Sequence, residues 1–441
     1  MNNSVNIKNK IQPFRKSIKI SGDKSLSIRC VLLASQAIGI SKIKNLLESE
    51  DVLNTLKAIR SLGIKYLKRG QIYEIRGYGI NGYKIKNKLI INAGNSGTLA
   101  RLLTGLLVNI DSEIKIIGDK SLSKRDFKRV TEPLKLFGVN IKSTKGHLPL
   151  YIKGTKFLRP INYNENRGSA QCKSAVMLAG LKTPGITKIR AKKSRNHTEI
   201  LFKNLKIPLK IKSGKKIDQI SINGPNNFKS FNYEIPGDIS SSAFFIVLTI
   251  LSQRSKIIIN NVNINESRIG IIKILNKMNC KIKLANKRLY KGEKIADIIV
   301  KSSNKIKSIN CPPSLNSAAI DEFLVIFLVA AKAKGVSSFR SLGELNKKES
   351  PRLKIAVKFL KMIGIKVLNS GDNIKIYGNP RLFLTGNYVL KNYMKDHRVF
   401  MMSCVAALTF GGKWKINDKD SIKTSFPEFL KILRELGANI N

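Results

Sequence analysis

The sequence predicts an α/β fold built from a repeated unit and arranged in two domains. Three observations carry that reading. Short runs that alternate Ile with Lys, among them "SIKI", "IYEI", "EIKII" and "NIKIYG", read as strands with one apolar and one solvated face. Segments of amphipathic helical spacing lie between them, at Val52–Leu62, Leu99–Leu107, Phe127–Phe137 and Leu353–Ile363. Several of these helices run into a Gly that turns the chain straight into another strand, as in "SLGIKYL", "LFGVNIK", "MIGIKVL" and "ELGANI". A chain of 441 residues exceeds one ordinary core and suggests roughly two domains.

Hydrophobic residues make up 42% of the chain, enough to fill such cores. The longest apolar runs, "AFFIVLTIL" and "FLVIFLVAA", are nine residues each; a membrane span needs about twenty, so both read as buried helices. The first residues, "MNNSVNIKNKIQPFRK", show neither an apolar h-region nor a cleavage pattern, and the expectation is a soluble, cytoplasmic protein. Five scattered cysteines without a CxxC pair argue against a disulfide framework or a zinc site. Three histidines, His147, His197 and His397, lack the spacing of a metal cluster.

Charge is the unusual property. Lys and Arg total 81 against 28 acidic residues, a net +53. Nucleic-acid binding is one reading. The other is a Lys-, Ile- and Asn-heavy composition spread over the whole chain, without a basic tail or interleaved aromatics, which would still favour anionic small molecules. The stretch "GYGING" at Gly77–Gly82 fits the GxGxxG fingerprint, but the next residues, "YKIKNKLIIN", read as strand rather than helix, so a nucleotide role is not expected.

Along the chain, "IKISGDKSLSIR" (Ile18–Arg29) returns as "IKIIGDKSLSKR" (Ile114–Arg125), ten of twelve positions alike. A strand ends in a Gly-Asp turn and Lys-Ser opens a helix, where exposed N–H groups and a cation suit an anion. One copy alone reads as a capped helix with solvated charges; two copies, with "PGDISSS" as a third Gly-Asp turn, favour an anion site. "NAGNSGTLARLL" sets small residues, Asn95 and Gly97 among them, before an apolar helix carrying Arg101. "RGSAQCKSAVMLAGL" offers Ser169, Gln171 and Lys173, and "KSRNHTEIL" offers Ser194, Arg195 and His197. "AAIDEFLVIFLVAA" opens a nearly all-apolar helix with Asp321 and Glu322, where an acid reads first as a cap. "LNKKESPRL" adds Lys348, Glu349 and Arg352; "KDHRVFMM" adds Asp396, His397 and Arg398.

Taken in order, "GDKSLSIR", "GNSGT", "GDKSLSKR", "SAQCKSAVMLAGL", "SRNHTE", "PGDISSSAFF", "IDEF", "KKESPRL", "DHR" and "TSFPEF" resemble the motifs of the 5-enolpyruvylshikimate-3-phosphate synthases over essentially the whole chain. The wording of "SGDKS", "TPGIT" and "TSFPEF" is most similar to the bacterial class that includes glyphosate-insensitive members. The resemblance implies two similar domains, each of three βαβαββ units, with the ligand cleft between them. It places the first domain at 21–236 and the second at 1–20 plus 237–441. It implies transfer of the enolpyruvyl group of phosphoenolpyruvate to the 5-hydroxyl of shikimate 3-phosphate, with release of phosphate and with no metal or cofactor. UDP-N-acetylglucosamine enolpyruvyl transfer is the related alternative, although no Cys stands in an equivalent loop. A basic nucleic-acid binder is the alternative of another class.

By resemblance, Lys24, Asn95, Gly97, Arg125, Gln171, Arg352 and Arg398 hold phosphoenolpyruvate. Lys24, Ser25, Arg29, Ser169, Gln171, Ser194, Arg195, Asp321 and Lys348 hold shikimate 3-phosphate. Asp321 would be the base for the hydroxyl, Glu349 would carry proton traffic at carbon, and Lys24 would act as acid beside the departing phosphate. The expected partners are these small anions, with no nucleic acid or membrane, and the expected state is a monomer. The sequence departs from the family pattern at Ser21, Ile28, Asp126, Asn196 and Pro351, the last between Glu349 and Arg352. Lys423 stands near, but out of register with, a lysine some members carry beside "SFP". Gly97 would leave room for glyphosate beside phosphoenolpyruvate.

Overall fold

A computed structural model describes residues 3–85 and 88–441. The chain divides into two units. The first comprises Gly22–Ile235 with Tyr290–Glu293; the second comprises 3–21, Pro236–Leu289 and Lys294–Asn441. The tip 290–293 of a later hairpin thus belongs with the first unit, which no local signal announces.

Among the described residues each unit carries three sheets. The middle module of the first unit shows the plan. Strand Leu89–Asn92 runs parallel to Ile114–Ile117 after helix Gly97–Leu106. Ile114–Ile117 pairs antiparallel with His147–Lys153, and that strand with Asn140–Thr144, after helices Lys120–Ser123 and Lys128–Lys135. This is a βαβαββ module. Its neighbours repeat the pattern: Asn232–Glu234 runs parallel to Ile38–Lys44, and Asn162–Glu165 parallel to Gly185–Lys192, each leading into an antiparallel hairpin. In the second unit Arg15–Lys19 runs parallel to Lys256–Asn263, and Leu384–Leu390 parallel to Gly411–Asn417. The remaining sheet there joins Gly335–Phe339, Asn373–Gly378 and Val367–Ser370, with Asn310 bridged parallel to Ser338.

The Ile/Lys alternation has the expected outcome. In Asn373–Gly378, Ile374 and Ile376 are buried while Lys375 is exposed. The helices form the inner layer: every residue of Leu26–Ala34, Leu99–Leu106, Cys172–Gly180, Ile239–Ile250 and Phe323–Ala331 is buried. Each Leu, Ile or Phe so placed is worth about 1.5–3 kcal/mol over exposure, against about 0–1 kcal/mol for an exposed ion pair. Stability therefore resides in the helical cores, and many lysines occupy the outer positions of strands. The four helix-ending glycines, Gly63, Gly138, Gly364 and Gly437, all take positive φ, from 77° to 97°, the conformation a Cβ disfavours. No helix among the described residues is long and apolar enough to cross a membrane.

Candidate active site

In the first unit the expected residues gather at helix starts. Asp23 Oδ1 accepts from Leu26 N (2.9 Å) and caps the eleven-residue helix opened by Lys24. Lys24 Nζ bonds Asp51 Oδ2 at 2.9 Å, and Asp51 lies in the first turn of helix Glu50–Ser61. Sequence reasoning missed Asp51; an acid at a helix start carries no mark of a partner 27 residues away. Ser96 and Ser169 cap Gly97–Leu106 and Ala170–Gly180 through the amides of Leu99 and Cys172, at 3.2 and 3.3 Å.

Two side-chain chains cross between these starts. Asp119 Oδ2 accepts from Asn95 Nδ2 (2.6 Å), and Asn95 Oδ1 accepts from Arg125 Nη2 (2.8 Å). Gln171 Oε1 accepts from Arg101 Nη1 (2.7 Å), while Gln171 Nε2 donates to Thr98 Oγ1 (2.9 Å). Arg101 also lies over the Phe127 ring at 4.9 Å. Gly97 backs both guanidiniums: a Cβ there would come within 2.8 Å of Arg101 Nη1 and 3.1 Å of Arg125 Nη1. Arg101, noted only as a passenger on its helix, is thus a member of the cluster.

Arg29 is enclosed. Its Nε donates to Thr198 Oγ1 (2.8 Å), Nη1 to the Ser25 carbonyl (3.0 Å) and Nη2 to Ser174 Oγ (3.1 Å). Ser194 Oγ is buried with no hydrogen-bond partner among the described residues, and Arg195 beside it is half-buried. Two residues singled out from the sequence go elsewhere. Lys173 is 1% exposed and pairs with Glu199 at 2.5 Å; His197 is fully buried against Glu293 at 2.6 Å. Both are core contacts. Lys423 pairs with Asp420 at the surface. The "GYGING" segment follows a strand and opens no helix.

In the second unit Arg352 is the hub. It is 1% exposed, its Nε and Nη2 fork onto Asp396 at 2.9 and 3.2 Å, and Nη2 also reaches Glu349 at 2.6 Å. Its Nη1 lies 3.5 Å from Asp321, which Lys348 approaches to 3.3 Å. Burial alone would lower the Arg352 pKa; Asp396, Glu349 and Asp321 together hold it above its ordinary value. Burial likewise would raise Asp396, yet Arg352 and then His397 hold its carboxyl below the usual range. Asp396 also caps helix His397–Phe410 by accepting from Arg398 N (2.9 Å), and accepts from Ser350 Oγ (2.8 Å). Arg398 Nη1 donates to the Asp321 carbonyl (2.9 Å). Pro351 sits at the cap position just before helix Arg352–Met362 and leaves the Glu349–Arg352 contact intact.

Glu322 stands at the cap position of helix Phe323–Lys332 but makes no capping bond, so its acid is not there for that purpose. It accepts from Ser240 Oγ (2.5 Å), which in turn accepts from Arg268 Nη2 (2.9 Å), and Arg268 pairs with Asp238 at 3.2 Å. Arg268, a lone Arg in "ESRIG", carried no signal in the sequence. Among the described residues no group of three or more His, Cys, Asp or Glu side chains is placed to hold a metal ion.

Paired units of three sheets, with cations and carboxylates gathered at buried helix starts, define an α/β enzyme suited to multiply anionic substrates. The same fold is found in the enolpyruvyl transferase NikO from Streptomyces tendae, with a TM-score of 0.77 over 100% of this chain and 98% of that one, at 14% identity. A family model described as EPSP synthase (3-phosphoshikimate 1-carboxyvinyltransferase) matches residues 8–433. The 3-phosphoshikimate 1-carboxyvinyltransferase of Ruthia magnifica subsp. Calyptogena magnifica is 40% identical over 425 residues, 96% of each chain. That of Zymomonas mobilis is 37% identical over 437 residues, 98% of this chain and 96% of its own. The solved EPSP synthase of Acinetobacter baumannii superposes with a TM-score of 0.87 over 99% of both chains, at 33% identity. The chain belongs to the EPSP synthase family.

Proposed function

We propose that the residues described above carry out the family's reaction: transfer of the enolpyruvyl group of phosphoenolpyruvate to the 5-hydroxyl of shikimate 3-phosphate, with release of inorganic phosphate. The observation that supports it is the full-length family match, with every cation of the matching motifs standing at or beside a helix start. The two units would be the two enolpyruvyl transferase domains, joined by chain crossings near 21 and 236.

Lys24, Asn95, Gly97, Arg125, Gln171, Arg352 and Arg398 would hold phosphoenolpyruvate. Lys24, Ser25, Arg29, Ser169, Gln171, Ser194, Arg195, Asp321 and Lys348 would hold shikimate 3-phosphate. The hydroxyl gives its proton to Asp321 as its oxygen bonds to C2, while the methylene carbon takes a proton through Glu349. Loss of that carbon proton then expels phosphate, which Lys24 stabilises and protonates. Asp321 lies between Lys348 and Arg352, so an ionised carboxylate there is matched by two cations. The sequence of steps needs no metal and no organic cofactor. All five cysteines are buried, which favours this reading over the UDP-N-acetylglucosamine reaction with its mobile Cys loop.

The reading extends to a cytoplasmic monomer that binds neither membrane nor nucleic acid, within the bacterial class that includes glyphosate-insensitive members. Gly97 nonetheless supports a glyphosate-sensitive wild type, because a methyl group there would press on Arg101 and Arg125. The decisive assay is phosphate release from purified protein given both substrates. Turnover that is largely abolished by Asp321→Ala is expected; a folded protein without turnover would defeat the proposal.

A further inference from the structure

Three consecutive residues, His197, Thr198 and Glu199, open the helix His197–Asn204, and all are buried polar side chains. Each is held from another part of the chain. Glu199 pairs with Lys173, Thr198 meets Arg29 and Ser174 Oγ (2.7 Å), and His197 Nδ1 lies 2.6 Å from Glu293 Oε1. Asn196 at the cap position makes no capping bond, so buried contacts set where this helix begins. Immediately before it stand Ser194 and Arg195.

Glu293 arrives from far along the sequence. It begins strand Glu293–Lys301, whose pairing with Lys256–Asn263 lies in the second unit, yet the tip Tyr290–Glu293 belongs to the first. The tip has its own apolar anchor: Tyr290 packs edge-on to Tyr233 at 5.4 Å and its hydroxyl accepts from Glu234 N (2.8 Å). Glu293 is therefore not required merely to dock the tip. A fully buried carboxylate carries a desolvation cost that an apolar side chain would avoid. What the carboxylate adds is direction. An ionised carboxylate only accepts, so His197 must present Nδ1–H to it, and this fixes the ring and the backbone two residues from Arg195.

We propose that Glu293 is a positioning residue for shikimate 3-phosphate: through His197 it fixes the turn that carries Ser194 and Arg195. The inference rests on the binding role proposed above for those two residues. Glu293→Asp keeps the charge but shortens the reach by one methylene; Glu293→Gln keeps the length and an acceptor oxygen. In steady-state assays the Asp variant raises KM for shikimate 3-phosphate about tenfold with KM for phosphoenolpyruvate within about twofold, and the Gln variant stays within about threefold of wild type in both. A merely structural role would lower Tm and the folded fraction while leaving KM for shikimate 3-phosphate unchanged, and that result overturns the proposal. So does an equal rise in both KM values.

Hydrogen exchange on the ligand-free proteins separates this inference from the reading it rests on. Faster exchange confined to amides 194–198 in the Asp variant supports the positioning role even if the wild type proves inactive with shikimate 3-phosphate. In that case the substrate assignment alone falls. Exchange that is unchanged there, or raised uniformly across Ala170–Gly180 as well, defeats the positioning role.

Discussion

In the segment Ile18–Arg29 the Lys-Ser pair opens eleven residues of helix; in Ile114–Arg125 the same pair opens four. The caps are alike, Asp23 holding the amide of Leu26 at 2.9 Å and Asp119 that of Leu122 at 2.7 Å. The surroundings are not. After Arg29 the chain continues as "CVLLA", so the helix carries on into the core and Arg29 is drawn in with it, onto Thr198 and Ser174. After Arg125 comes Asp-Phe and the helix stops. Arg125 then lies beyond its end, with its amide on the Leu122 carbonyl (3.0 Å) and its guanidinium on Asn95. Lys24 meets the buried Asp51, whereas Lys120 is exposed. The strands differ as well: Arg15–Lys19 pairs within the second unit and Ile114–Ile117 within the first, so only the earlier copy spans a crossing of the chain between units. Identical local sequence thus produces the same capped start, and the residues C-terminal to each copy decide its chemistry.

The sharpest test of this contrast is the lysine pair. Lys24→Ala should lower kcat/KM for phosphate release by about 10²–10³, the scale of losing one charge-stabilising donor, with Lys120→Ala within about twofold of wild type. Comparable losses in both would erase the distinction. Next come the arginines. Arg29→Ala strips donors from buried partners and should reduce unfolding free energy by about 2–4 kcal/mol in urea titrations. Arg125→Ala should leave the urea midpoint nearly in place and raise KM for phosphoenolpyruvate. Exchanged outcomes would reverse the roles assigned to the two copies.

A smaller effect is expected beside the second copy. Gly97→Ala pushes on the guanidiniums of Arg101 and Arg125 and should raise KM for phosphoenolpyruvate about fivefold, with a larger rise in the glyphosate inhibition constant. Equal inhibition constants would remove glyphosate from the Gly97 side of the site. The smallest difference concerns the caps. Asp23→Ala should cost about 1 kcal/mol of stability, and Asp119→Ala about half of that, because it supports only a four-residue helix.

Much of the architecture was legible from local rules. Strand alternation, helix caps and the positive-φ glycines depend on neighbours two to four residues apart, and the four helices expected from spacing all appear, their ends shifted by one or two residues. The candidate site was legible as a set of motifs, but not as a set of contacts. Nothing in "KESPRL" shows Arg352 shared among Asp396, Glu349 and Asp321, and nothing in "SRNHTE" shows His197 turned away from ligand towards Glu293. Lys173 looked as available as Gln171 until the helix face placed it against Glu199.

By itself, then, the sequence determined the α/β cadence, the repeated module and the cationic helix starts, because these follow from short-range periodicity and capping. Only the tertiary structure decided which of two identical lysines meets a carboxylate, which arginine is enclosed, and that Tyr290–Glu293 joins the first unit. Those outcomes depend on which distant segments the packed modules bring within hydrogen-bond reach, and no residue's nearest neighbours in sequence encode them.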